Sequence, residues 1–227
     1  IIAYAEGVWD KAYHKITTTT GLDGKSSEVK VHIPLTMTAR EGIAYLGENS
    51  GKISVGNVET KATGRKSLIA FAKNKGTVDI SGNITADDSG VTTSKEDKYK
   101  NIGAYAKASG ADTTVTINGN ATINGLGALA DGDGAKIYLK GTTNKIYTGT
   151  EGGLVAKNKG IIEFHGGTIV NKDNSVARGL TNNDHKNTTP FYATDDNTTL
   201  GTTKGKIIFT GSDTNIEMYD GILVYGK

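Results

Sequence analysis

Cysteine is absent from this chain, and proline occurs only twice. The first absence removes disulfide staples and thiolate metal sites, and it suits a long secreted β-protein that must stay unfolded while crossing an oxidising compartment. Aromatic residues make up only 7%, and no apolar run approaches the ~18 to 20 residues that span a bilayer as a helix. Neither sign of charge is in excess. The net charge is +2 over 227 residues, which gives no electrostatic case for nucleic acid or an anionic membrane. A signal peptide is missing as well, since Ile1 already begins a strand-like segment, and the chain reads as a piece excised from something longer.

What the chain does have is glycine, 31 residues of it, with threonine and asparagine frequent. Thr favours strands, while Gly and Asn tolerate left-handed turn conformations, so the mixture predicts short strands joined by many turns. An internal repeat orders these strands. A small-residue segment recurs as IIAYAEG (1–7), GIAYLGENSG (42–51), LIAFAKNKG (68–76), IGAYAKASG (102–110), LGALADGDG (126–134) and GGLVAKNKG (152–160). An alternating strand follows: KISV (52–55), TVDI (77–80), TVTI (114–117), KIYL (136–139), IIEF (161–164). A third short strand closes each unit: VET (58–60), ITA (84–86), ATI (121–123), KIYT (145–148), TIV (168–170). Gly56-Asn57, Gly82-Asn83 and Gly119-Asn120 mark the corner between the second and third.

The step is 26 residues from Ile43 to Ile69, 24 from Gly103 to Gly127 and 26 from Gly127 to Gly153. One such unit cannot bury a face by itself; stacking pairs every strand with its equivalent above and below, which is a parallel β-helix. Strand side chains alternate, and a narrow interior demands small or branched residues. In the first strand this puts Leu68, Ala70 and Ala72 inward, with Ile1, Ala3, Ala5, Ile102, Ala104, Ala106, Leu126, Ala128 and Ala130. Tyr4, Tyr45, Phe71, Tyr105, Leu129 and Val155 then point outward, beside Gly103, Gly127 and Gly153. In the second strand Ile53, Val55, Val78, Ile80, Val115, Ile117, Ile137, Leu139, Ile162 and Phe164 point inward.

Surplus residues interrupt the period at about 7–28, 87–101 and 172–189, the last placing the first strand of its coil at Phe191 to Thr194. KIIF (206–209), NIEM (215–218) and GILVYG (221–226) continue the coils. Insertions on a solenoid project as loops on one side, where binding function usually sits.

The run A-Y-A-K-x-x-G, then T-V-x-I-x-G-N, then a short third strand, repeated over nearly the whole chain, resembles the passenger domains of Gram-negative autotransporters, most closely the large adhesins. The resemblance lies in repeat style and includes no catalytic signature. It implies a single all-β domain, a right-handed parallel β-helix of three strands per coil. It also implies a virulence factor held at the bacterial surface by a C-terminal outer-membrane barrel, which these 227 residues do not contain.

Chemical constellations are few. Asp87-Asp88 and Asp195-Asp196 are adjacent pairs in turns, and adjacent strand side chains point to opposite faces. They read as solvated turn acids, not the paired carboxylates of a polysaccharide-degrading enzyme. Asp87-Asp88-Ser89-Gly90 only partly matches a serine-protease nucleophile, and His14, His32, His165 and His185 are scattered over different coils. Asp131-Gly132-Asp133-Gly134 alternates acids and glycines as calcium loops do, but it lacks a distal Glu and tandem repetition, and it reads as a turn. No catalytic residue, metal site or cofactor is expected.

Aromatic residues remain as binding candidates. An outward line of Tyr45, Phe71 and Tyr105 is either a stabilising stack or a platform for a sugar or a protein partner. Trp9, Tyr13 and His14 in the first insertion, Tyr99 in the second and His185 in the third are the loop candidates. The expected partners are host receptor proteins, glycans or other bacteria. The alternatives are a polysaccharide-degrading β-helix enzyme and a structural spacer of a longer passenger. The twice-occurring AKNKG, at 72–76 and 156–160, reads as a solenoid corner whose lysines exchange with Asp and Glu.

Overall fold

The computed structural model describes residues 3–6, 10–12, 16–20, 27–87, 101–148, 152–171, 191–194, 205–217 and 224–226, with backbone alone for 3–6, 10–12, 16–20, 27, 171, 191–194, 217 and 224–226. Every regular element among them is a strand. Parallel pairing from coil to coil builds a β-solenoid of about five turns, as the repeat requires.

Three faces make up each turn. The first is formed by β6 (Ile43–Glu48), β9 (Leu68–Lys73), β12 (Asn101–Lys107), the second half of β14 (Ala121–Asp131) and β17 (Leu154–Lys157). The second is formed by β7 (Lys52–Val55), β10 (Thr77–Ile80), β13 (Thr113–Ile117), β15 (Ala135–Leu139) and β18 (Ile161–Phe164). The third holds β8 (Thr60–Ala62), β11 (Ile84–Ala86), the first half of β14, β16 (Asn144–Thr148) and β19 (Gly167–Asn171). β14 runs through a corner without a break, so its hydrogen bonds join the third face of one turn to the first face of the next.

The register of the second face is the one the alternation demands. Ile53 pairs with Val78, Val78 with Val115, Val115 with Ile137 and Ile137 with Ile162. All ten inward positions named for that face are buried. Like residues stacked one strand spacing apart fill the interior, which is how stacked β-branched side chains specify the coil. The upper continuation also falls where expected: β20 (Phe191–Thr194) pairs with β17, and β21 (Lys206–Phe209) pairs with β18.

The first face differs from its sequence reading in two ways. Ile43 pairs with Leu68, a step of 25 residues, so Tyr45 lies opposite Ala70 and Leu46 opposite Phe71. Tyr45 therefore points inward and is wholly buried, its hydroxyl sharing a 2.9 Å hydrogen bond with the buried Thr60 hydroxyl. Aligning on the Ala-Tyr pair shifted the strand by one residue, and one residue is enough to reverse every side chain. The chain also turns a corner before Ala70, so two successive residues face inside. Ile69 is fully buried while Leu68 and Ile102 are half-buried. Gly103 and Gly127 face inward, not outward: a Cβ on Gly103 would lie 3.0 Å from Ile123, and one on Gly127 2.7 Å from Ile146. The absent side chains leave room for those isoleucines on the third face.

On the third face the strand expected at 58–60 lies at Thr60–Ala62, because Thr60 and Ala62 are the positions that stack under Ile84 and Ala86. At the start of the chain, β2 (Asp10–Ala12) pairs antiparallel with β1 (Ala3–Glu6), and β3 (Ile16–Thr20) with β4 (Ser27–Val31). Parts of the first surplus segment thus occupy the sheet edges beside β1 and β4. Exposed edges otherwise offer unpaired backbone groups to other chains.

Buried amides tie the corners. Asn144 accepts from the Ala121 N–H at 2.8 Å and donates Nδ2 to the carbonyls of Gly141 and Gly166. Asn101 accepts from the Ser67 N–H at 2.9 Å.

Candidate interaction surface

Corner geometry comes first, because it explains the repeated AKNKG. Asn74 and Lys75 both have positive φ, as do Asn158 and Lys159, and Asn49 and Ser50. In each case the closing glycine donates its N–H to the residue three positions back: Gly76 to Lys73, Gly160 to Lys157, Gly51 to Glu48. Two consecutive left-handed residues closed this way form a type I′ turn, for which Asn is well suited at the first position. Glycine is required at the close because a Cβ on Gly76 would run into the Gly47 carbonyl below, and one on Gly160 into that of Ala130.

The lysines of the motif bond across coils. Lys157 Nζ lies 3.6 Å from Asp131, Asn158 donates Nδ2 to Asp131 at 2.8 Å, and Lys159 donates to Asp133 at 3.0 Å. The AKNKG corner therefore sits above the ADGDG corner as its complement, and the two acids that suggested calcium are met by these cations. Lys73 pairs with Glu48 one coil below at 2.7 Å. Such pairs are half exposed, and each contributes about 1 kcal/mol or less. Among the described residues no three His, Asp or Glu side chains converge as a metal site.

The outward line of the first face is Leu46, Phe71, Tyr105, Leu129 and Val155, in unbroken register. Tyr45 is replaced in it by Leu46. Tyr4 pairs in register with Leu46 at one end, and Tyr192 with Val155 and Tyr225 with Tyr192 at the other. The Phe71 and Tyr105 rings stack at 4.7 Å with planes 9° apart. Each ring thus covers a face of the other, and the outward rim of the stack consists of ring edges. That favours the stabilising reading, since a sugar stacks on a ring face and not on its edge. Burial pushes the Tyr105 hydroxyl pKa up, and the Asp131 carboxylate adds to the effect.

Two grooves lie at the corners of the solenoid. One, of about 370 Å³, runs along the turn column and is lined by Asn49, Ser50, Asn74, Lys75, Ser109 and Ala111. The other, of about 580 Å³, runs along the corner that opens the third face and is lined by Thr143, Lys145, Thr168, Ser212, Asp213 and Asn215. Among the described residues, neither brings together two carboxylates such as the acid and base pair of a glycosidase. Asp87 instead accepts from Asn124 Nδ2 at 2.7 Å.

Of the candidates named from sequence, Phe71 and Tyr105 come together on the outer surface, and Tyr45 is removed to the core. Trp9, Tyr13, His14, Tyr99 and His185 lie outside the described residues, as do Asp88, Asp195 and Asp196. The grooves were missed because they form between coils, from residues about one period apart. Comparison with protein-family profiles, with curated proteins and with solved structures gave no match.

Proposed function

We propose that this chain is part of a surface adhesin of the autotransporter type, a rigid passenger rod that contacts host receptor proteins, glycans or other bacteria and performs no chemistry of its own. The observation that carries the reading is how the polar groups of the solenoid are used. The corner acids Glu48, Asp131 and Asp133 are paired with lysines of the next coil, and Asp79 accepts from Asn118 Nδ2 at 2.8 Å. Their charges hold the stack together instead of converging on a substrate. The remaining resource is an extended, ordered surface with insertions attached, which suits binding. In this proposal the rod is displayed at the outer surface of a Gram-negative bacterium.

A binding screen tests the proposal: the 227-residue chain against host receptor ectodomains and a glycan array, with 7–28, 87–101 and 172–189 deleted in turn. Saturable binding lost with one deletion, in a variant that keeps its β-sheet circular dichroism, is expected. Depolymerisation of a polysaccharide by the purified chain would instead favour the enzyme alternative. Absence of both binding and turnover favours the spacer.

A further inference from the structure

Asn83-Ile84-Thr85 and Asn120-Ala121-Thr122 each have the Asn-x-Thr spacing of an N-glycosylation acceptor, with no proline at the middle position. The solenoid places the two in successive coils, Ile84 paired with Ala121 and Thr85 with Thr122. The middle residues Ile84 and Ala121 are buried, so Thr85 and Thr122 fall on the outer side. Asn83 is exposed and Asn120 half-exposed. Both elements of the acceptor thus face solvent, which a buried strand would not allow.

The amide orientation leaves the nitrogen of both asparagines available at the surface, whereas the similarly oriented Asn101 is wholly buried. Asn83 Oδ1 accepts from the Asn120 N–H at 2.8 Å, and Asn120 Oδ1 accepts from the Thr143 N–H at 3.0 Å. Both use the oxygen, and neither Nδ2 donates to any group among the described residues. Asn118, Asn124 and Asn158 donate through Nδ2, and Asn144 donates through Nδ2 while also accepting through Oδ1. None of those four lies in an Asn-x-Ser/Thr triplet. The carboxamide nitrogen is the atom that takes a sugar, and the product remains an amide with its carbonyl oxygen unchanged. A sugar on Nδ2 therefore leaves the corner hydrogen bonds in place.

We propose that Asn83, with Asn120 as the second acceptor, is an N-glycosylation site of this chain. The co-substrate is a sugar activated through a diphosphate at its anomeric carbon, carried on a nucleotide or a lipid. Nδ2 attacks the anomeric carbon, the carbon–nitrogen bond forms as the carbon–oxygen bond breaks, and the diphosphate leaves with the electron pair. One amide proton passes to a base of the transferase. Asn83 takes precedence because it is the more exposed, and the strand spacing of about 4.8 Å crowds a second sugar ring beside it. The inference is independent of which partner the rod binds.

Peptide mass spectrometry of the protein purified from its own source tests it. The expected result is a glycan mass on the peptide carrying Asn83, with or without one on the peptide carrying Asn120. Thr85→Ala, which leaves the Asn83 amide and its hydrogen bond intact, should abolish the modification at Asn83 with no change in melting temperature. Unmodified Asn83 and Asn120 in the natural protein, or sugar attached only to Ser or Thr hydroxyls, would overturn the proposal. So would modification at Asn83 that persists unchanged in Thr85→Ala.

Discussion

Replacing Tyr45 by Phe deletes one oxygen from the interior of the solenoid, and the corrected register assigns that change a definite cost. Among the described residues the Tyr45 hydroxyl bonds only to Thr60, at 2.9 Å, and both residues have no solvent exposure. Loss of the bond leaves the Thr60 hydroxyl buried and unpaired, a penalty of about 1–3 kcal/mol. Thr60→Val strands the Tyr45 hydroxyl instead, at a similar cost. With both partners apolar and of similar shape nothing is left unpaired, so the double variant should lie within about 1 kcal/mol of the parent. With a neutral double variant the cycle therefore returns a coupling equal to the sum of the two single costs, about 2–6 kcal/mol, at or above the upper end of the range measured for contacting residues. Urea unfolding followed by far-ultraviolet circular dichroism measures all four proteins. A Tyr45→Phe shift of only a few tenths of a kcal/mol, with no coupling to Thr60, would return Tyr45 to the solvent face and refute the register. Alkaline pH gives a second reading. Burial raises the Tyr45 pKa above its ordinary 10.0, so the unfolded chain ionises first. The stabilisation is full below about pH 10 and is lost as pH rises above it, and Tyr45→Phe should reduce that alkaline loss.

Gly76→Ala and Gly160→Ala should each destabilise by about 1–3 kcal/mol, because the new methyl meets backbone of the coil below, which cannot swing aside; two unchanged melting temperatures would contradict the stacking of the corners. Ala128→Asp, at a wholly buried site, should cost several kcal/mol or prevent folding. Tyr105→Ser should lose only about 1 kcal/mol, mainly the ring pair with Phe71, and the reverse order would mean the faces are exchanged. At acid pH, the Ser54 hydroxyl donating to Glu28, followed by the Lys52 ammonium, holds the Glu28 carboxyl below its ordinary 4.5, against partial desolvation. A lowered carboxylate stabilises above that pH and loses its effect as pH falls through the folded value. Glu28→Gln should therefore flatten the acid limb of the stability curve below about pH 4.5.

The period and the β-branched second strands were legible because each coil must repeat what the last one buries; Val78 predicts Val115, and the structure pairs them. The place of the seventh first strand, at Phe191–Thr194, was legible for the same reason. The first face was less legible. Its strand contains alanine and glycine, which carry little alternation, so Tyr45 and Phe71 looked equivalent while lying on opposite sides. The outer surface was partly legible: Phe71 and Tyr105 could be placed together, but not the way their rings cover one another.

Sequence by itself determined that this chain is a parallel β-solenoid, since only stacking can bury units of three short strands with a period near 25 residues. It also determined the corners, because Asn-Lys-Gly and Asn-Ser-Gly supply the left-handed residues and the bare glycine that a type I′ turn needs. Tertiary structure alone decided which way Tyr45 faces, why Gly103 and Gly127 must lack side chains, and that the lysines of one AKNKG corner meet the acids of ADGDG below. Each of those depends on the offset between neighbouring coils. A shift of one residue in that offset reverses every side chain on a strand, and local sequence encodes the offset poorly where small residues occupy both inward and outward positions.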